Sequence, residues 1–343
     1  MLRLYSRKIA LSLLSSGVLR YLIPAECGAG VVFTLHKVMP VSTQVKADPN
    51  SHLSITPEFL EEVAGLVLDA GYIPLSLAEL PGFLQHRKSN EKAVFFTLDD
   101  GYKNNLKYAV PIFEKYNIPC TIMLTSGFLT RTKSMWWETA SEVVTNAQTL
   151  QFDFGAGMKT YNLDTRQSKI AMFHKIKKFI CQAEVEEEAI RTLDEFAYHS
   201  AGVDPLKLVD QLIMNESDVR NYSDIKIIEF GAHTASHLNL KKIPDGQLRS
   251  EIERSISSIS ALTGKTPASF AYPYGGDSAV GSREIQAVRD SAIRVAVTTR
   301  PNVLKGKHIG ELLCLPRISL NGHFQQISFV RTLLGGVPFI FSR

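Results

Sequence analysis

Cysteine is scarce in this 343-residue chain. Cys27, Cys120, Cys181 and Cys314 stand far apart with no Cys-x-x-Cys among them. They read as reduced core or surface thiols, which favours a cytoplasmic setting, with export left open. An excess of one charge is also lacking. The 38 basic and 34 acidic residues leave a net +4, and the basic ones are scattered, which argues against nucleic acid as a partner. No apolar run reaches the ~18–20 residues of a membrane-spanning helix. Internal repeats and low-complexity tracts are absent, and tryptophan occurs only twice, at Trp136 and Trp137.

The N-terminus has too little of a secretory signal. Such a signal needs an apolar core of ~7–15 residues and a small-residue cleavage site. Here Ile9–Leu14 is short, and Arg20 interrupts the next apolar stretch. Residues 1–30 therefore read as an amphipathic segment, able to make peripheral contact with a membrane surface.

The chain does have 45% apolar and 21% charged residues, enough for a large globular core. Short apolar strands alternate with helical patterns, which points to βα units and a mostly parallel sheet. Strands are predicted at Val31–His36, Ile73–Leu77, Val94–Leu98, Cys120–Thr125, Ile228–His233, Ser269–Tyr274, Ile293–Thr298 and Leu313–Leu320. Helices are predicted at Pro57–Ala70, Leu106–Tyr116, Gln167–Gln182, Glu186–His199, Gln247–Leu262, Ser282–Ser291 and Gln325–Leu334. The first has a full set of end signals, with Thr56 as cap, Pro57 in the first turn, Glu58 as an early acid and Gly71 as the stop. Eight strands with interleaved helices suggest an α/β barrel spanning 31–335. A mostly helical or irregular stretch, about 126–224, interrupts the rhythm and reads as an insertion between two barrel strands.

Two segments carry chemistry. The apolar run Ala93–Leu98 ends in Asp99-Asp100-Gly101. At a strand end before a flexible glycine, both carboxylates can reach one site, one binding a cation and the other acting as a base. Asp-Gly is also an ordinary turn dipeptide. Downstream lies His233-Thr234-Ala235-Ser236-His237. Spacing i, i+4 puts both rings on one face if the segment turns helical. Two histidines plus a carboxylate, with open positions for water, form a familiar catalytic set for zinc or another divalent ion. Either segment alone is weak; the pair is a strong signal. A third piece, Ala271-Tyr272-Pro273-Tyr274-Gly275-Gly276, is a strand that breaks at a proline and two glycines, the kind of strand end where barrel sites are built.

These three segments, in this order, resemble the motifs of the polysaccharide deacetylase family (carbohydrate esterase family 4, with the chitooligosaccharide deacetylase homology domain). Its Thr-Phe-Asp-Asp-Gly corresponds to Thr97-Leu98-Asp99-Asp100-Gly101, its His-[Ser/Thr]-x-x-His to His233–His237, and its Arg-x-Pro-Tyr to Ala271-Tyr272-Pro273-Tyr274. The resemblance implies a distorted (β/α)7-type barrel. It implies Asp100, His233 and His237 as ligands of a divalent metal, zinc foremost, with cobalt, nickel or iron as other occupants. It also implies Asp99 as general base and a backbone amide near Tyr274 as oxyanion holder.

The departures set further expectations. Ala271 stands where the motif has arginine, so Asp99 must be oriented from elsewhere; Arg317, near the last strand, is the candidate, against a surface or interface role. The family's late Leu-x-His motif is not evident. His36, in Phe33-Thr34-Leu35-His36-Lys37-Val38, resembles the Tyr-His-x-Val opening of branches acting on biofilm and exopolysaccharide glycans, and is expected as the acid. His323 is a possible substitute, though it reads more readily as a surface histidine at a helix start. Trp136 and Trp137 read either as an exposed pair stacking on sugar rings or as anchors of the insertion. The reading as a whole is a metal-dependent N-deacetylase acting on N-acetylated amino sugars of a bacterial surface polysaccharide, oligosaccharide or lipid-linked glycan. Its rivals are a noncatalytic glycan-binding or assembly protein and a non-sugar amide hydrolase.

Overall fold

The computed structural model describes residues 28–44 and 48–339. The amphipathic helix expected near the N-terminus, and Cys27, lie outside them. The strands are β1 (Gly30–Leu35), β2 (Lys37–Val38), β3 (Ser54–Ile55), β4 (Ile73–Pro74), β5 (Ala93–Leu98), β6 (Cys120–Leu124), β7 (Thr149–Asp153), β8 (Met158–Asn162), β9 (Ile228–Ala232), β10 (Ser269–Ala271), β11 (Val295–Val297) and β12 (Ile318–Ser319).

The eight strands read from the sequence all join one sheet. Its order is β11-β10-β9-β6-β5-β1-β12, with β4 paired to the start of β5, and every strand pair in it is parallel. β1, β5 and β6 are buried along their whole length, as expected of parallel strands covered on both faces. The sheet curls into a distorted barrel whose path has seven strands. Its two ends meet where Leu315, just before β12, exchanges backbone hydrogen bonds of 2.9 Å with Ala296 and Thr298.

Strand alternation sorts the core. Val32, Phe95, Met123, Ala271 and Val297 share one cluster, while Val31, Phe33, Val94, Phe96 and Ile122 belong to the larger cluster that includes the flanking helices. Side chains two apart on a strand share a face. The row through Val32 therefore continues to Thr34 and His36, and the row through Phe95 continues to Thr97 and Asp99. Parallel register sets these rows side by side, with Thr34 opposite Thr97.

The helices follow the predicted pattern closely. Pro57–Asp69 starts at Thr56, whose hydroxyl accepts the Phe59 N–H at 3.2 Å, and Gly71 takes φ +74° after its end. The insertion is less purely helical than its sequence suggests. Six helices between Ser126 and Tyr222 are joined by an antiparallel hairpin, β7–β8, paired over five positions. Only Leu150 and Phe152 of its first strand are buried, so its apolar alternation is too short to read. The two-residue β2–β3 pair is equally illegible in the sequence, for want of any pattern at that length.

Candidate active site

The chemistry gathers at the C-terminal ends of the strands. Asp99 and Asp100 follow β5, His233 follows β9, Tyr274 follows β10 and His36 follows β1. Four residues around the site hold positive φ without being glycine: Asp100 (73°), Thr234 (66°), His237 (55°) and Tyr274 (62°). Such backbone persists only where surrounding structure enforces it, and it clusters at functional sites.

Asp100 Oδ1 lies 3.6 Å from His233 Nε2 and 3.5 Å from His237 Nε2. It is buried and has no hydrogen-bond partner. His233 Nδ1 sits 2.7 Å from the Ala271 carbonyl, which can only accept, so Nδ1 carries a proton and Nε2 is turned to Asp100; burial lowers the ring's pKa, but Asp100 and Asp99 together outweigh it and raise it. Burial lowers the pKa of His237 to about 4, against the pull of Asp100, so its ring is neutral. The His237 segment is braced by the Thr234 hydroxyl, which accepts the His237 N–H at 2.9 Å. One carboxylate oxygen and two imidazoles offer ligand atoms within 4.8 Å of one another, the only such cluster among the described residues. An orphaned buried oxygen facing the Nε2 atoms of two imidazoles fits a divalent cation with further positions open.

Asp99 is held differently. Its Oδ1 and Oδ2 accept from Arg317 Nη1 and Nη2, each at 2.8 Å, and Oδ2 also lies 3.3 Å from the Thr34 hydroxyl. The same guanidinium donates to Thr97 Oγ1 at 3.0 Å and to the Thr298 carbonyl at 2.8 Å. Burial by itself would raise the Asp99 pKa; the charge and hydrogen bonds of Arg317, with His233 and His36, together outweigh it and hold the carboxyl well below the usual carboxylate range. Arg317 is only 1% exposed, so it is neither a surface nor an interface arginine. Position 271 of the fully buried inner cluster is alanine, and the arginine that clamps the carboxylate arrives from the far end of the chain.

A cavity of about 170 Å³ opens here, lined by Asp99, Asp100, His233, His237, His36, Tyr274, Trp136 and Trp137 among others. His36 thus faces the same space as the two carboxylates. His323 does not line it; its ring stacks 5.6 Å from His52, which does. The tryptophans are not an exposed pair. Trp136 and Trp137 are 4% and 7% exposed. Trp137 packs 4.7 Å from the His237 ring and donates from Nε1 to the Tyr102 hydroxyl at 2.9 Å, while Trp136 donates to the Tyr274 hydroxyl at 3.0 Å. They wall the cavity and tie the insertion to the barrel at once.

Sequence reading missed two supports. Lys37, 5% exposed, bonds Glu138 at 2.9 Å, and Glu138 also accepts from the Tyr102 hydroxyl at 2.8 Å. Burial disfavours the Lys37 charge, but Glu138 and Asp48 more than compensate and raise its pKa. The second is Glu186, buried in the insertion, which accepts from the Tyr274 hydroxyl and from the Asn239 N–H at 2.8 Å. Its place in the acidic run Glu184–Glu188 looks like a solvated helix start, so nothing in the sequence marked it.

Comparison with known proteins agrees with this fold. Solved structures similar across most of the chain include three that it also nearly spans. One is the deacetylase PplD of Streptococcus pyogenes, in complex with acetate (16% identity, TM-score 0.54, covering 89% of this chain and 97% of that one). Another is a de-N-acetylase of Aggregatibacter actinomycetemcomitans (15%, 0.55, 88% and 98%). The third is IcaB of Ammonifex degensii (14%, 0.53, 90% and 97%). At these identities the likeness speaks for the fold. No curated protein matches the chain. The family model described as polysaccharide deacetylase matches residues 86–295, a stretch that carries both carboxylates, both histidines of the cluster and the Tyr272-Pro273-Tyr274 strand end, though neither His36 nor Arg317. The chain belongs to the polysaccharide deacetylase family.

Proposed function

We propose that this protein is a metal-dependent hydrolase that removes N-acetyl groups from amino sugars of a bacterial surface polysaccharide, oligosaccharide or lipid-linked glycan. The observation that carries the reading is the division of labour between neighbouring carboxylates. Asp100 is orphaned beside two imidazoles, and Asp99 is locked into a bidentate arginine clamp.

Asp100, His233 and His237 would hold the cation. A divalent ion bound there supplies a Lewis acid for the amide carbonyl and makes a water acidic enough to react near neutral pH. Asp99, kept ionised and fixed in place by Arg317, takes the proton from the attacking water. His36 faces the same cavity and gives a proton to the departing sugar amine. The backbone amide at Tyr274 is assigned to the oxyanion, and the left-handed turn there aims it. Trp136, Trp137 and Tyr274 exclude water and shape the wall beside the acetamide.

The test is acetate release from N-acetylglucosamine oligomers by metal-loaded protein, with Asp99→Asn beside it. The variant is expected to bind metal normally and to lose about 10²–10⁴ in turnover, the usual contribution of a positioned base. Equal release by both proteins refutes the role of Asp99. No release by the metal-loaded parent protein refutes the deacetylase reading for these sugars.

A further inference from the structure

The cavity carries a charge that hydrolysis of a neutral sugar amide does not use. The insertion helix Arg166–Gln182 sends two residues to its lining, Phe173 and Lys177. They are four apart and so share one helix face. Phe173 is buried and stacks on Trp136 at 6.4 Å, which fixes the face that points to the site.

Lys177 has no hydrogen bond or ion pair among the described residues. Two other lysines of the same helix are tied: Lys169 bonds the Thr145 carbonyl, and Lys175 bonds the Tyr161 hydroxyl at 2.7 Å while lying over two aromatic rings. Nor does the cavity offer Lys177 a free counter-charge. Its only carboxylates are Asp99 and Asp100. Asp99 is neutralised by Arg317, and Asp100 faces the histidine pair. His52 lines the same cavity beside His36. Burial, then His323, then Lys177 lower the His52 pKa to about 4, which places the ammonium within electrostatic reach of that ring.

At about 170 Å³ the cavity falls below the ~300–1,000 Å³ of pockets that enclose a whole ligand. Under the deacetylase reading it would hold the reacting end, with the rest of the substrate crossing the rim, where the exposed Lys177 lines the opening.

We propose that Lys177 is a specificity residue that recognises an anionic group, a phosphate or a carboxylate, carried by the glycan next to the acetamide being hydrolysed. A charge-assisted hydrogen bond from an ammonium to such a group is worth enough to set affinity by about tenfold or more. The inference rests on the deacetylase reading for its substrate but not for its binding site.

Two measurements separate them. The first compares kcat/KM of metal-loaded protein for a neutral N-acetylglucosamine trisaccharide, the same trisaccharide bearing a phosphate, and one bearing a uronic-acid carboxylate. At least one anionic form should be favoured about tenfold, mainly through KM. Lys177→Gln should abolish that preference and leave the neutral substrate within about twofold; which anion is favoured tells a phosphate-linked from an acidic glycan. The second measures calorimetric binding of the same three oligosaccharides to Asp99→Asn protein with and without Lys177→Gln, which needs no turnover. Discrimination in binding without any turnover sinks the deacetylase reading and keeps the anion site. Turnover with no anionic preference, or an equal loss on all three substrates in Lys177→Gln, overturns the anion site alone.

Discussion

Replacing Arg317 by Met should cost far more than a typical core substitution. The variant keeps an unbranched chain in the same space and removes the charge clamped onto Asp99. In the parent protein the guanidinium makes four hydrogen bonds of 2.8–3.0 Å, two of them to a carboxylate that is 3% exposed. Breaking a buried pair from one side strands the other charge, at a cost of about 3–5 kcal/mol. The pH dependence comes from the direction of the shift. In the parent protein the folded pKa of Asp99 lies below the unfolded value of ~3.9, so the pair stabilises above that pH and fades only in strong acid. In the variant burial dominates, offset only in part by His233, His36 and the Thr34 hydroxyl, and burial alone can raise a lone carboxyl by as much as ~3–5 pH units. Ionised Asp99 then destabilises the fold near and above neutrality, and the penalty disappears as the pH falls and the group protonates. Urea unfolding of metal-free protein between pH 5 and 8 should therefore show a gap between the two proteins that narrows toward pH 5. Adding Asp99→Asn should rescue the variant, with a coupling of about 2–3 kcal/mol. A gap below ~1 kcal/mol at pH 7, or one that does not change with pH, would refute the clamp as the dominant interaction.

The site leads to two further outcomes. Zinc at a thousand times its Kd should add about 4 kcal/mol to unfolding stability in the parent protein and nothing in His233→Ala, read by thermal melting with and without chelator; equal responses would exclude the Asp100–His233–His237 cluster as the site. Glu186→Ala removes the acceptor of the Tyr274 hydroxyl and the Asn239 N–H, so it should cost about 1–3 kcal/mol and lower turnover with metal binding intact; unchanged melting would show that the insertion does not brace the β10 strand end.

The chemistry-bearing segments were legible because strand physics writes them locally. Ala93–Leu98 is buried on both faces and so reads as an uninterrupted apolar run, and a strand ending in Asp99-Asp100-Gly101 needs no distant information to place two carboxylates at a sheet edge. The same holds for the eight strands of the barrel and for the capped helix at Pro57–Asp69. The hairpin β7–β8 and the burial of Trp136 and Trp137 were not legible, since both depend on what packs against them.

By itself the sequence determined the eight strands of the main sheet and the Asp-Asp and His-x-x-x-His pairs, because each is encoded in residues a few positions apart, and their order along the chain carried the barrel class and the family. The tertiary structure decided which charge answers which. Asp99 and Arg317 are 218 positions apart and meet at two bonds of 2.8 Å because β12 returns to lie beside β1 and closes the sheet. Glu186 and Lys177 reach the site only because the insertion folds back over the strand ends. Sequence can propose partners for a buried charge, but desolvation forces the choice among them, and burial exists only once the chain has folded.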